Sequence, residues 1–108
     1  MTLTVKQLRQ AGYKVRVQRY RYLPDEEYPI STFDIKQESE YNDLRDVLPH
    51  GGITVVTISL PGDNFYNVQF SGESICRRDE QFVSKLGLDI AIGRATRCIE
   101  KLGHILPA

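Results

Sequence analysis

The residue best suited to catalysis in this sequence is Cys76, which opens the stretch CRRDEQF. Arg77 and Arg78 follow it directly, and the pattern predicts the start of a helix just after them. Cationic neighbours and a helix N-terminus both favour the thiolate, which is the reactive form of cysteine. A phosphatase-type loop, however, needs an arginine at the position where Phe82 stands. We therefore favour a structural thiol and predict no enzymatic activity, and a thiol enzyme that uses Cys76 stays as the third hypothesis of function.

Phosphate- and metal-binding patterns are incomplete in this chain. The glycines of PHGG, residues 49–52, are followed by a strand-like run and by no lysine, so both common phosphate-loop patterns fail. His50 lies in that predicted turn and His104 lies beyond a predicted helix end, neither beside a partner for acid–base work. Residues 23–48 hold eight acids, but without the alternating ligands and central glycine of a calcium loop. We predict a plain turn, a solvated acidic face and no cofactor.

The stretch YKVRVQRYRY, residues 13–22, combines basic and aromatic side chains and contains no acid. Tyrosine rings can stack on bases while cations bind phosphates, and further cations on the last predicted helix could extend such a surface. The candidate partner- or nucleic-acid-binding residues are Lys14, Arg16, Arg19, Tyr20, Arg21, Tyr22, Arg94, Arg97 and Lys101. The other interpretation is that these cations only solvate the outer face of an ordinary sheet. We favour it because nucleic-acid-binding domains more often carry a clear net positive charge.

Charge is strongly segregated along the chain, although the formal net charge is zero. Residues 1–22 contain six bases and no acid, whereas residues 23–48 contain eight acids and two bases. Such asymmetry is typical either of a charged partner-binding face or of two segments that neutralise each other on folding.

Length and composition indicate one ordinary globular domain, residues 1–108, with 41% hydrophobic residues. The two cysteines, Cys76 and Cys98, are too few for a disulfide scaffold and match no metal-ligand spacing. The N-terminus lacks the apolar core of a signal peptide, and no apolar run approaches the ~20 residues that a transmembrane helix needs. We expect a soluble, cytoplasmic protein.

The first helix is predicted from its capping residues, and the first strand is predicted from the alternation of apolar and polar residues. Thr4 is a plausible N-cap for a short helix, and Gly12 is placed to end it. A strand follows in the stretch YKVRVQRYRYL, residues 13–23, but its apolar alternation slips by one position after Gln18. Either a bulge near Gln18 or Arg19 restores one apolar face, or a straight strand places Tyr20 and Tyr22 beside the preceding bases.

The middle of the chain predicts a loop, a short helix and a hairpin. Residues 24–32 form the loop, and residues 43–48 form the short helix. Strands over residues 53–60 and 65–70 are joined by the turn PGDN, residues 61–64. The inner face of this hairpin is predicted to contain Val56, Ile58, Leu60, Tyr66, Val68 and Phe70.

The C-terminal third is helical, with two apolar sets on opposite sides of one ideal wheel. The broad stripe contains Leu88, Ala91, Ile92, Ala95, Cys98, Ile99 and Leu102, and the opposite set contains Phe82, Val83 and Leu86. Since one straight helix cannot bury both sets against one sheet, we predict a break at Gly87. A short helix would cover residues 79–86, and a longer helix would begin at the N-cap Asp89 and stop at Gly103.

The segment KLGLDIAIGRA, residues 85–95, with DEQF upstream, resembles a helical pattern of small uncharacterised accessory proteins of tailed phages and prophages. The positions that carry the resemblance are Lys85, Gly87, Ile90, Ala91, Gly93, Arg94 and Ala95. It implies a phage-type accessory protein and brings no known activity or site residues. The order helix, three strands, helix is also similar to the double-stranded-RNA-binding domain, although RRDEQF stands where that domain has a lysine-rich helix start.

We predict an α+β domain with an antiparallel sheet of about three strands packed against a C-terminal helix pair. The predicted order is α-β-(loop or short α)-β-β-α-α. The leading hypothesis of function is a small non-enzymatic phage-type accessory protein that binds and modulates a host or phage protein, in the host cytoplasm and away from membranes. Nucleic-acid binding through residues 13–22 is the alternative, and homo-oligomer formation stays open.

Overall fold

One antiparallel sheet with helices against it forms the fold, which confirms the predicted α+β class. The computed structural model describes residues 3–24, 26–33, 47–62 and 69–103. Their elements are α1 (Val5–Gln10), β1 (Lys14–Arg21), β2 (Ile30–Ser31), β3 (His50–Ser59), β4 (Phe70–Gln81) and α2 (Ser84–Lys101). The strand order is β2-β1-β3-β4, so the sheet has four strands where the sequence predicted about three.

Helix α1 begins and ends as predicted. The Thr4 hydroxyl accepts from the Gln7 backbone at 3.1 Å and the Gln7 side chain accepts from the Thr4 backbone at 2.9 Å, which is a capping box. Gly12 adopts a φ of 94°, the left-handed conformation in which L-residues are strained. The chain therefore turns directly from α1 into β1.

Strand β1 runs straight, so the alternative without a bulge is the correct one. Its pairing with β3 is continuous from Lys14 opposite Ser59 to Tyr20 opposite Ile53. Because side chains alternate between the faces of a strand, Lys14 and Tyr20 lie on one face, and Arg19 and Arg21 lie on the other. Tyr22 follows the end of the strand.

The hairpin prediction is largely correct for β3 and misplaces β4. All of the predicted first strand except Leu60 lies within β3, whereas the strand that pairs with it runs over Phe70–Gln81 and shares only Phe70, opposite Ile58, with the predicted second strand. The predicted turn over residues 49–52 is wrong, because residues 50–52 already belong to β3. Residues 63–68, which contain Val68 and most of the predicted second strand, lie outside the described residues, as does most of the predicted helix over residues 43–48.

Helix α2 is one unbroken helix, so the predicted break at Gly87 and the C-terminal helix pair are wrong. The Gly87 amide donates to the Val83 carbonyl at 3.0 Å, which continues the helix through the glycine. A Cβ at Gly87 would lie 2.8 Å from Thr54 Oγ1 on β3, so the glycine allows close packing instead of a turn. The N-cap is Val83 and not Asp89, which lies inside the helix, and residues 79–81 belong to β4.

The core lies between the sheet and both helices, on one face of the sheet. Ala91 and Ala95 of α2 lie directly over Gly72 of β4, where any Cβ would collide with their backbone. Small residues at these three positions let helix and strand approach closely, which increases the apolar surface removed from water. The buried cluster contains Leu8, Tyr13, Val15, Val56, Ile58, Phe70, Ala91, Ile92, Ala95 and Ile99.

Candidate protein-binding face

The face of the sheet opposite the helices carries an apolar row across three strands. The strand pairings place Tyr20 of β1 opposite Ile53 of β3, and Ile53 opposite Ile75 of β4. Ile75 is 62% exposed, while Tyr20 and Ile53 are half-buried. We call this face the open face and these three residues the apolar row. At the other end of the same face Thr57 and Ser59 are buried, so the accessible part lies around the row.

Charged side chains of both signs lie on the open face: Glu73 is two residues from Ile75 along β4, and Arg16 and Lys14 are four and six residues from Tyr20 along β1. Lys14 and Arg16 are exposed on β1, on the same face as Tyr20. Glu73 is exposed on β4, and the register aligns it with Val55 and Gln18. The open face therefore has a basic side along β1 and an acidic residue on β4, a distribution that favours oriented docking of a complementary surface.

A cleft continues the open face past the edge of β1. It has a volume of about 440 Å³ and includes Tyr20, Ser31 and Phe33 in its lining. Phe33 is 68% exposed, so a second large apolar side chain is accessible beside the tyrosine. The Ser31 hydroxyl accepts from the Phe33 backbone at 3.2 Å, which helps to fix the chain where β2 ends. Tyrosine and phenylalanine with a neighbouring apolar row are typical of protein interfaces.

Arg21 points to the helix-covered face and has structural partners there. Its Nη2 donates to the Leu48 carbonyl at 2.9 Å, and its guanidinium lies 4.0 Å from the centre of the Phe82 ring. Burial lowers the pKa of Arg21, and nearby Cys76 acts in the opposite direction. The buried Nε atoms of Arg19 and Arg21 have no hydrogen-bond partner in the described part of the chain. Strand alternation places both side chains on the helix-covered side of β1, and Arg19 also lines the cleft at the edge of this strand.

Two glycines let aromatic rings lie against the start of β3. A Cβ at Gly52 would come within 2.7 Å of the Phe82 ring, and a Cβ at Gly51 would come within 3.0 Å of the Tyr22 ring. The sheet register shifts between His50 and Gly52, which marks a bulge at this point. The Tyr22 ring in turn lies 4.4 Å from the Arg78 guanidinium. Tyr22 is thus held by a cation–π contact.

The basic residues of α2 do not extend the open face. Arg94 Nη1 donates to the Glu73 carbonyl at 2.7 Å, so Arg94 lies against β4. Arg97 and Lys101 are exposed on α2, which packs on the other face of the sheet. The structure therefore divides the nine predicted site residues: the open face unites Lys14, Arg16 and Tyr20, and Arg19, Arg21, Tyr22, Arg94, Arg97 and Lys101 lie elsewhere.

Cys76 is not at a helix N-terminus, which corrects the prediction for the stretch CRRDEQF. It lies in β4, eight residues before α2 begins. Its Sγ lies 3.4 Å from the Glu80 carbonyl oxygen and 3.5 Å from the Gln81 carbonyl oxygen, and either oxygen can accept a hydrogen bond from the thiol. The Arg77 guanidinium binds Glu80 at 3.1 Å and lowers the pKa of that carboxyl, so it faces a carboxylate instead of the thiol.

Other catalytic or metal-binding arrangements do not form among the described residues. His50 is exposed at the start of β3, and His104 lies outside the described residues. No group of three or more His, Cys, Asp or Glu side chains in the described ranges is arranged to hold a metal ion. Within the same ranges, no helix is both long enough and apolar enough to cross a membrane.

The fold is an antiparallel sheet with helices on one face, and the other face presents a surface of apolar and charged side chains. Comparisons with protein-family models, with curated proteins and with solved structures find no match to this chain. Its function must therefore be argued from its own geometry.

Sequence reasoning identified Tyr20 but missed Ile53 and Ile75 as surface residues. Ile75 lies in FSGESIC, residues 70–76, where Phe70, Gly72 and Ser74 alternate inward. Two of these three inward positions hold glycine and serine, so the segment lacks the apolar alternation by which a strand is recognised. The signal that could have indicated this strand was the length of β3, because a long central strand needs a hydrogen-bonded partner strand on each side.

Proposed function

We propose that this chain is a small non-enzymatic accessory protein that binds another protein through the open face and modulates it. The observation that carries the proposal is the apolar row, in which Ile75 is exposed and Tyr20 and Ile53 are half-buried, on a face that also carries charged side chains. Exposed apolar surface rimmed by polar residues is typical of protein-interaction sites. The segregated charge on this face favours a partner of complementary charge and fast association with it.

The phage-type part of the proposal rests on the resemblance of residues 79–95 and on no other observation. It suggests that the partner is a host or phage protein and that the site of action is the host cytoplasm. The segment contains the end of β4 and the first twelve of the eighteen residues of α2, and none of its residues belongs to the apolar row. The resemblance therefore concerns the origin of the chain, and the binding surface is argued separately.

A capture experiment tests the proposal with one substitution in the row. The bait is the full chain, used in a bacterial lysate with and without nuclease, and compared with the variant Ile75→Arg. We expect a discrete protein to be retained by the wild type under both conditions and lost by Ile75→Arg, because an arginine interrupts the apolar row. Direct binding of the purified partner is then measured by calorimetry.

The matched control is Leu102→Arg, since Leu102 is 68% exposed and lies at the end of α2, away from the row. This variant should retain the partner as the wild type does. Retention that disappears on nuclease treatment, or that is equal for wild type and Ile75→Arg, would contradict the proposal.

Nucleic-acid binding is the second candidate, and one observation favours it. Lys14, Arg16 and Tyr20 do share one face of β1, as a stacking and phosphate-binding surface requires. Arg19 and Arg21, however, point to the opposite face, and Glu73 lies on the same face as the cations. Of the nine predicted site residues, this leaves two cations and one tyrosine on the open face, so we place nucleic-acid binding second.

A further inference from the structure

A cleft lies between β4, an edge strand of the sheet, and the first half of α2. It has a volume of about 140 Å³, and we call it the edge cleft. Four apolar side chains in its lining are between 37% and 62% exposed, so its apolar surface is accessible. The strand, the connection after it and the helix supply the lining, which contains Ser74, Ile75, Cys76, Glu80, Gln81, Phe82, Val83, Leu86, Gly87 and Ile90.

An unsatisfied hydroxyl lies at the inner end of the edge cleft. Thr54 of β3 is fully buried, and its Oγ1 has no hydrogen-bond partner among the described residues. A Cβ at Gly87 would lie 2.8 Å from this Oγ1, 3.6 Å from the Thr54 Cβ and 3.9 Å from the Ser74 Oγ. The hydroxyl therefore points towards Gly87, beside the space between two residues that line the cleft. Buried polar groups without a partner are rare, so this position suggests that a polar group is bound nearby.

Ser74 can connect this hydroxyl to a ligand in the edge cleft. The strand register places Thr54 directly opposite Ser74, and hydroxyls in such cross-strand pairs can hydrogen-bond. A serine hydroxyl donates one hydrogen bond and can accept two. After rotation about its χ1 angle, Ser74 can therefore bind Thr54 and a hydroxyl group of a ligand at the same time. A purely apolar ligand would leave both hydroxyls without this partner.

The size of the edge cleft and its walls favour an aromatic ring. A cavity of about 150 Å³ lined by apolar side chains binds one benzene molecule, so the edge cleft can hold one six-membered ring. Phe82 and Cys76 both line it, and aromatic rings pack favourably against other rings and against sulfur. An aromatic ring that carries one hydroxyl, as in the side chain of tyrosine, matches both the walls and the inner end.

We infer that the edge cleft takes one tyrosine side chain of the protein that binds the open face. The inference rests on the proposed function and names an anchor residue of that partner. Ile75 belongs both to the apolar row and to the lining of the edge cleft, so the two surfaces are continuous. A stable interface needs ~20–30 residues a side, so a partner that covers the three residues of the row must contact further surface. Tyrosine in a desolvated pocket is a typical anchor of such interfaces.

Side-chain analogues test the edge cleft without the partner. The full chain, with ¹³C-labelled methyl groups, is titrated with p-cresol, the analogue of tyrosine, and with toluene, which lacks the hydroxyl. We expect p-cresol to shift the methyl resonances of Leu86 and Ile90 and to leave those of Leu102, an exposed leucine outside the cleft, unchanged. It should bind about 2- to 10-fold more tightly than toluene, as one hydrogen bond allows. Absent shifts, or equal affinities, would overturn the inference.

The substitution Ser74→Ala tests the polar end of the edge cleft. It should reduce the affinity for p-cresol to that for toluene, because the ring is still bound and the hydroxyl has lost its partner. The matched control is Ser71→Ala, since Ser71 is an exposed serine of β4 outside the cleft, and this variant should keep the wild-type preference. Circular dichroism verifies that both variants are folded. A preference for p-cresol that persists in Ser74→Ala would contradict the assigned tyrosine site.

Capture with Leu86→Arg separates this inference from the proposed function. The arginine disrupts the wall of the edge cleft and leaves the apolar row intact, so we expect at least about 10-fold less partner than with the wild type. Leu102→Arg is again the control. Full retention by Leu86→Arg, together with loss by Ile75→Arg, would overturn the inference and leave the proposed function in place. If p-cresol binds but no protein is captured, the proposed function fails and the cleft serves a free phenolic molecule instead of a partner's tyrosine.

Discussion

Arg21 is fixed by contacts that its position in a basic stretch does not reveal. Residues 13–22 look like one cationic surface, but a straight strand sends alternate side chains to opposite faces. Arg21 therefore lies on the helix-covered face, where the Leu48 carbonyl and the Phe82 ring receive its guanidinium. Lys14 lies on the open face and is exposed. The two cations should differ in their contribution to stability.

We predict that Arg21→Ala lowers the free energy of unfolding by roughly 2 kcal/mol, since it removes a charged hydrogen bond and a cation–π contact. Lys14→Ala, the matched control on the same strand, should change it by less than ~0.5 kcal/mol, because exposed charges contribute little to folding. Urea unfolding followed by circular dichroism measures both values. Equal effects of the two substitutions would contradict the structural role of Arg21.

At the scale of elements, the close packing of the helices on the sheet accounts for the positions of the glycines. It also accounts for the arginine side chains that bind carbonyl groups near the sheet edges. Two guanidiniums from helices bind strand carbonyls: Arg9 of α1 donates to Val15 at 2.9 Å, and Arg94 of α2 donates to Glu73 at 2.7 Å. Val15 belongs to β1, which pairs with β2 only at its C-terminal end, and Glu73 belongs to the edge strand β4. Occupied edge carbonyls discourage strand addition.

The two glycines of α2 should respond to alanine with opposite signs. Gly87→Ala places a methyl group 2.8 Å from Thr54 Oγ1, and the resulting overpacking should cost roughly 1–3 kcal/mol, less the gain in helix propensity. Gly93→Ala meets nothing within 4 Å and should stabilise the fold by roughly 0.5–1 kcal/mol. Denaturant unfolding measures the change in the free energy of unfolding for both variants. Destabilisation by Gly93→Ala under these conditions would be the contrary result.

At the scale of the whole molecule, local sequence signals were sufficient to predict the fold class. They were insufficient to predict which residues lie at the surface. The cap at Thr4, the β-branched run of β3 and the Gly103 stop each depend on a few neighbouring residues, and all were predicted. The break at Gly87 was wrong because it assumed that every apolar residue near α2 must be buried, whereas Val83 and Leu86 stay exposed. Which apolar residues remain at the surface depends on tertiary contacts that no local pattern contains.

The charge of the whole molecule also decides how it should interact with nucleic acids. The net charge is zero, and the cations that looked contiguous in the sequence lie on opposite faces of the sheet. Few phosphates can then be neutralised at once, so little free energy is available from counterion release. The acidic Glu73 on the open face opposes the approach of phosphate further.

We therefore predict no tight nucleic-acid binding at physiological salt, with any dissociation constant at or above the ~1–100 µM typical of non-specific contact. Fluorescence anisotropy with labelled single- and double-stranded oligonucleotides, repeated at several salt concentrations, measures this. The variant Lys14→Ser/Arg16→Ser removes the two predicted binding cations that lie on the open face and should change the result little. A dissociation constant well below 1 µM that this variant loses, with a salt dependence flatter by about two phosphate contacts, would make nucleic-acid binding the leading function.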